Sequence, residues 1–339
     1  MDTAYSKRST QSRQKQLNLL IIDILFVIIA ILKSALRDFS KMSIGNDTFN
    51  YMSKYFEVAN TTWSQLFHDF SLFSTSYEVR DFGYPIFVKL TQLIAIDFRF
   101  FLFIVASIYV IPLGMILYKH VKSYSGTFFG ILLYFALFSS LVDTAFRQCI
   151  AMGICWFGLD FVIQRKWKQY FLLVLIAFTI HSTAFLAVPM YFFPKLKKMR
   201  LLIIVLLIAM PFMIIYSSQI ATFLTEGSIY ESYSEHAGEY DSPLVFTGMI
   251  ILVTIVTVLF YKQIKFKRNA SIFIGSIIMA TALTPMGWVA PAILRMTWYY
   301  SVFIMALIPM IIDGTKIDRI YKQLMYAGVD SILLFLMIR

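Results

Sequence analysis

Apolar residues fall in long runs from one end of the chain to the other. They cover roughly residues 17–36, 99–118, 126–142, 146–163, 169–193, 201–218, 244–261, 271–290, 292–312 and 320–338, with a shorter stretch at 83–97. Most runs are long enough, wound as α-helices, to match the hydrocarbon thickness of a bilayer. The pattern predicts an all-α, polytopic integral membrane protein with about ten or eleven membrane-embedded helical segments. Two polar stretches interrupt it, at about 37–82 and 219–243. In the first, Tyr51, Tyr55 and Phe56, then Trp63, Leu66, Phe67 and Phe70, recur at helical spacing. That spacing predicts short amphipathic helices at the membrane interface. No Pro/Gly/Ser-rich linker divides the chain, so residues 1–339 read as a single polytopic membrane domain. The start is polar and basic, but the apolar run after it is too long for a signal-peptide core and reads as a retained first span.

Composition agrees: 59% of the residues are hydrophobic and 14% charged, too little polar surface for a water-soluble domain of this size. The net charge of +11 does not point to nucleic acid. Its basic residues sit in short clusters between apolar runs, around Lys7–Lys15, Arg165–Lys168, Lys195–Arg200 and Lys262–Arg268, as expected of cytoplasmic loops. The acidic loop with Glu231, Glu235 and Glu239 has no Lys or Arg and belongs outside. Placing Lys119, Lys122 and the next two clusters inside requires 83–118 to cross an odd number of times and 169–193 an even number. The simplest solution makes 83–97 a half-helix dipping in from outside and 169–193 a broken hairpin hinged near His181. The alternative is that one basic cluster violates the charge rule. Cys149 and Cys155, six apart in one run, face different sides of a helix and predict no internal disulfide.

Charged groups beside or within apolar runs carry the candidate chemistry. Arg147 opens one run, His181 sits in the middle of another, and Arg295 follows Pro291 at the start of a third. With Arg37 and Arg80, which flank the first polar stretch, they fall toward the outer side. Arginines converging on a cavity suit an anionic ligand, because the guanidinium fork matches phosphate oxygens and keeps its proton. A histidine among them can shuttle a proton. The plainer reading is that Arg147 and Arg295 snorkel to the interface and His181 is a hydrogen-bonded joint between helices. The four histidines are scattered and no Cys/His spacing resembles a metal-ligand set. No phosphate-binding glycine loop or nucleophile elbow is present.

Short elements then line up in order. Arg37 is followed by Gly45-Asn46-Asp47-Thr48 and Tyr51, and Arg80 by Asp81-Phe82-Gly83-Tyr84. Later come Arg147-Gln148-x-Ile150-Ala151, His181-Ser182-x-Ala184, and Arg295 with Tyr299. In this order the chain resembles the EpsG-like branch of the Wzy-type bacterial polysaccharide polymerases. It has Asp81 where that family more often has Glu, and its serine one place early at Ser182. The resemblance implies a GT-C-like membrane glycosyltransferase similar to O-antigen ligase. Such an enzyme acts on undecaprenyl-pyrophosphate-linked oligosaccharides, donor and acceptor, at the outer face of the bacterial cytoplasmic membrane. It implies an inverting reaction with no metal or other cofactor, and a chain-length regulator and a flippase as pathway partners. On it, Arg147 and Arg295 clamp the pyrophosphate and His181 is the general base. Arg37 and Arg80 assist, and Asp47, Tyr51, Asp81, Gln148 and Tyr299 bind substrate or orient an arginine.

Other classes remain open on the residues alone. A flippase or transporter of lipid-linked glycans would also want an arginine-lined cavity, with charges through both leaflets and inverted repeats. A membrane acyltransferase could use His181 as its base. A structural partner of a glycan-export complex would need no chemistry at all.

Overall fold

The computed structural model describes residues 2–39, 47–68, 81–219, 244–288 and 294–338. Helix α1 (Asp2–Ala35) is followed by two short helices, α2 (Asp47–Asn60) and α3 (Trp63–His68). Then come α4 (Gly83–Gln92), α5 (Phe98–His120), α6 (Tyr124–Thr144) and α7 (Phe146–Ile163). Helix α8 (Trp167–Ile180) stops at His181, and a 3-10 helix, Ser182–Lys195, forms a return arm. The rest comprises α9 (Met199–Ile215), α10 (Leu244–Leu259), α11 (Ala270–Trp288), α12 (Arg295–Gly314) and α13 (Arg319–Ile338).

Among the described residues six helices are long and apolar enough to cross a membrane: α5, α6, α7, α11, α12 and the Thr10–Ala35 part of α1. These full-length candidates are fewer than the ten or eleven membrane-embedded segments expected, a number that also included short and broken segments. The apolar runs of α8, α9 and α10 form shorter helices. The 83–97 run is mainly the ten residues of α4. Run length overstates helix length because an apolar run does not show where the backbone turns inside it. The amphipathic helices expected before residue 70 are α2 and α3. The acidic loop from residue 220 to 243 lies outside the described residues, as do Phe70, Arg80 and Pro291.

Helices α5 and α7 run parallel. Phe101 meets Phe146 at one end, Gly153 packs on Ile108 in the middle, and Lys119 pairs with Asp160 at the other end. The return arm runs back along α8: the Tyr170 hydroxyl donates to the Ala187 carbonyl at 2.7 Å, and the Tyr191 hydroxyl to the Arg165 carbonyl at 3.0 Å. The 169–193 run is therefore a hairpin with its bend at His181, where the backbone is extended (φ −153, ψ 119). At the Lys119 end, His120 also packs on Phe273, Ser123 donates to Asp313, and Lys267 lies against Gly314. The basic loops thus collect at one end of the bundle, and Arg37, Arg147, His181 and Arg295 at the opposite end. Helix α4 stays with them. Its Lys89 donates to the carbonyls of Val58 and Ala59, and Gln92 donates to that of Tyr55. The Tyr55 hydroxyl reaches Ala95 and Asp97 beyond it, so this segment does not traverse the bundle.

Tyr109, Cys149, Trp156, Ala184, Phe273 and Tyr300 place the core between α5, α7, α11, α12 and the return arm. Cys149 and Cys155 are buried free thiols. Helices α1, α9, α10 and α13 expose Ile24, Leu25, Ile208, Leu252 and Leu324, a surface that lipid covers at no cost and water does not. Caps at the ends are local: Asp97 accepts from the Phe100 N–H at 2.7 Å, and Ser123 from the Gly126 N–H at 3.2 Å.

A Cβ at Gly153 would collide with the Ile108 backbone, which cannot swing aside as a side chain can. Gly153→Ala is therefore expected to destabilise the bundle by about 1–3 kcal/mol. Thermal unfolding of the purified protein in detergent checks this, and an unchanged midpoint would show that α5 and α7 separate at no cost.

Candidate functional site

Asp81 lies two residues before α4, and its side chain is 3% exposed. Its Oδ2 is 3.1 Å from Nδ1 of His181 and 3.4 Å from a terminal nitrogen of Arg147. Its Oδ1 accepts the Ser182 N–H at 3.1 Å. That N–H is a free donor at the start of the return arm, so Asp81 caps the arm from a distant part of the chain. Gly83 makes the approach feasible. A Cβ there would stand 2.8 Å from the Thr179 carbonyl carbon, so α4 rests on the last turn of α8 only without a side chain.

Arg147 is the second residue of α7. Besides Asp81 it hydrogen-bonds Tyr51 of α2, and its guanidinium lies 5.9 Å from the Tyr84 ring. Tyr51 stacks on Phe146 at 4.4 Å. Burial pushes the Tyr51 phenol up, so it stays neutral and its oxygen accepts from Arg147. Asp47, one helical turn before Tyr51 on α2, lies 3.8 Å from Arg295 at the head of α12. Gln148, next to Arg147, donates to the Arg295 carbonyl at 2.8 Å. The result is two polar clusters, Arg295–Asp47 and Tyr51–Arg147–Asp81–His181, linked through successive turns of α2. Together they join α12, α2, α7, α4 and the break after α8. His181, Arg147 and Arg295 all keep partial exposure.

Tyr299 and Arg37 stand apart from these clusters. Tyr299 is buried, with its hydroxyl 3.2 Å from that of Thr183 and its carbonyl accepting from Trp156. It props the return arm beneath the bend. Arg37 is 9% exposed and pairs with Asp143 at 2.7 Å, while also donating to Thr48 and Ser34. These contacts, together with its position 5.3 Å from the Phe146 ring, make Arg37 a tie between α1, α2 and α6. Asp143 was not singled out from the sequence. Its signal was an acid at the very edge of an apolar run, which near membrane depth calls for a cationic partner. Among the described residues no three His, Cys, Asp or Glu side chains gather to hold a metal ion.

The fold and these clusters define a polytopic, all-α membrane protein with its charged site at the end of the bundle away from the basic loops. The chain belongs to the EpsG family, whose model matches residues 23–339. Membership links it to polysaccharide polymerisation. No curated protein and no solved structure matches it significantly.

The acids of the two clusters differ in burial, and their removal should differ accordingly. Asp81→Asn leaves Arg147 without its carboxylate and is expected to destabilise by about 2 kcal/mol, less than for a fully enclosed pair because Arg147 is partly exposed. Asp47→Asn, at an exposed pair, is expected to change stability by less than about 1 kcal/mol. Parallel unfolding curves in one detergent test the contrast, and equal losses would contradict it.

Proposed function

We propose that this protein is a polysaccharide polymerase that joins undecaprenyl-pyrophosphate-linked repeat units at the outer face of the bacterial cytoplasmic membrane. Its chemistry is inverting and needs no metal. The observation that carries this reading is that one carboxylate, Asp81, touches both His181 and Arg147. A base and a fixed cation then stand side by side at a partly open end of the bundle. The basic loops at the other end favour the cytoplasm, which turns this end outward.

With Nδ1–H of His181 donated to Asp81, Nε2 is free to take the proton of an acceptor sugar hydroxyl. The acceptor oxygen forms its bond to the anomeric carbon of the donor as the bond from that carbon to the pyrophosphate oxygen breaks. The leaving lipid pyrophosphate gathers negative charge, which Arg147 and Arg295 stabilise from fixed positions in a weakly polarisable surrounding. Asp81 holds His181 in one tautomer and orients Arg147. Before substrate binds, Asp47, Tyr51 and Gln148 set where the two guanidiniums stand. Arg80 would add a third cation. Arg37 contributes through the frame, and Tyr299 through the return arm. A GT-C-like arrangement similar to O-antigen ligase fits this division of labour, with a chain-length regulator and a flippase supplying and limiting the substrate.

The test uses purified protein in liposomes with lipid-linked repeat units, EDTA and no nucleotide sugar, with products resolved on a gel. A ladder of longer glycans is expected from the parent. His181→Ala, Arg147→Ala and Arg295→Ala are each expected to lose about 100-fold or more in rate while remaining folded. No ladder from folded parent protein would sink the reading and turn attention to flipping. A trapped covalent glycosyl-enzyme would refute inversion by direct displacement.

A further inference from the structure

The two arginines of the site are held by acids of different kinds. Asp81 is buried and committed to three partners, so it cannot leave Arg147 without stranding a charge. Asp47 is 46% exposed, Arg295 is 37% exposed, and their 3.8 Å separation is beyond hydrogen-bond length. Asp47 also opens α2, whose positive N-terminal end favours a carboxylate with or without Arg295. This pair can open at little cost to either side.

We propose that Asp47 is a displaceable counter-ion for Arg295. In the free protein it neutralises the guanidinium. A phosphate oxygen of the lipid-linked pyrophosphate replaces it on binding, and Asp47 returns as the product leaves. A pyrophosphate competes well because it carries more charge and more acceptor oxygens than one carboxylate. Once displaced, Asp47 stays close and repels the bound anion, which caps affinity and hastens release of the lipid pyrophosphate. Asp47 is thus a positioning residue that trades binding strength for turnover. This rests on the pyrophosphate reading of the site above.

The experiment measures binding of inorganic pyrophosphate and of farnesyl pyrophosphate by calorimetry to the full chain in nanodiscs, beside steady-state polymerisation. Asp47→Asn is expected to bind both probes about two- to fivefold more tightly, with KM and kcat falling together. Asp47→Glu, which keeps the charge, is expected to stay within about twofold of the parent. Arg295→Ala is expected to bind at least about tenfold more weakly. Unchanged or weaker binding by folded Asp47→Asn, with Arg295→Ala still weakened, would overturn the counter-ion role and leave the pyrophosphate reading standing. A parent that binds neither probe, or binds them no better than Arg295→Ala, would overturn both.

Discussion

A carboxylate almost sealed from solvent must be neutralised where it stands, and much of the site follows from how Asp81 meets that demand. It takes a guanidinium from the start of α7, an imidazole from the end of α8 and a backbone N–H from the start of the return arm. Each contribution fixes an element. Helix α7 has to begin beside α4, α8 has to stop at His181, and α4 has to lie close enough on α8 that Gly83 tolerates no side chain. A polar group that is hard to bury becomes the point at which four segments are registered against one another.

The break in α8 raises a second demand, since backbone groups inside a bundle find no water. In the return arm each N–H would normally bond to the carbonyl three residues earlier. Pro189 has no N–H, which leaves the Leu186 carbonyl without that partner. The Tyr300 hydroxyl of α12 donates to it instead, and the Tyr170 hydroxyl of α8 donates to the neighbouring Ala187 carbonyl. Buried tyrosines thus supply hydrogen bonds that the tight, proline-bearing arm cannot make for itself. The arm stays folded beneath the bend, and the bend keeps His181 facing Asp81.

Much of this was legible in the sequence. Charge bias made a turn-back within 169–193 and a one-sided 83–97 the simplest solution, and the bend falls at His181. Arg147, His181, Asp81, Tyr51, Asp47 and Arg295 all lie at or near helix ends on one side of the charge pattern, which is why a one-dimensional reading could gather them. What it missed depended on backbone geometry or on partners far along the chain. Ser182 serves the site through its backbone N–H, and no motif reports a backbone donor. Arg37 read as an assistant to the pyrophosphate clamp, and no local pattern reports its partner Asp143, which lies more than a hundred positions away. A π-helical turn at Tyr134–Phe138 in α6 adds a residue to the register and rotates everything after it, Asp143 included, by about 100° relative to an uninterrupted helix. A hydrophobicity pattern cannot reveal that turn.

The Arg37–Asp143 pair still bears on the site, through α2. Asp47 and Tyr51 contact Arg295 and Arg147 from successive turns of that helix, so its position sets how far apart the two guanidiniums are held. Helix α2 is short and would not hold its place alone. It is braced at both ends. Thr48, next to Asp47, donates to the Asp143 carbonyl at 2.6 Å and accepts from Arg37 at 3.3 Å. Tyr55, one turn beyond Tyr51, is buried and bound through its carbonyl to Gln92 and through its hydroxyl to the α4–α5 turn. By pinning the helix that, in the free protein, spaces the two arginines proposed to bind substrate, Arg37 can govern that binding through the frame alone.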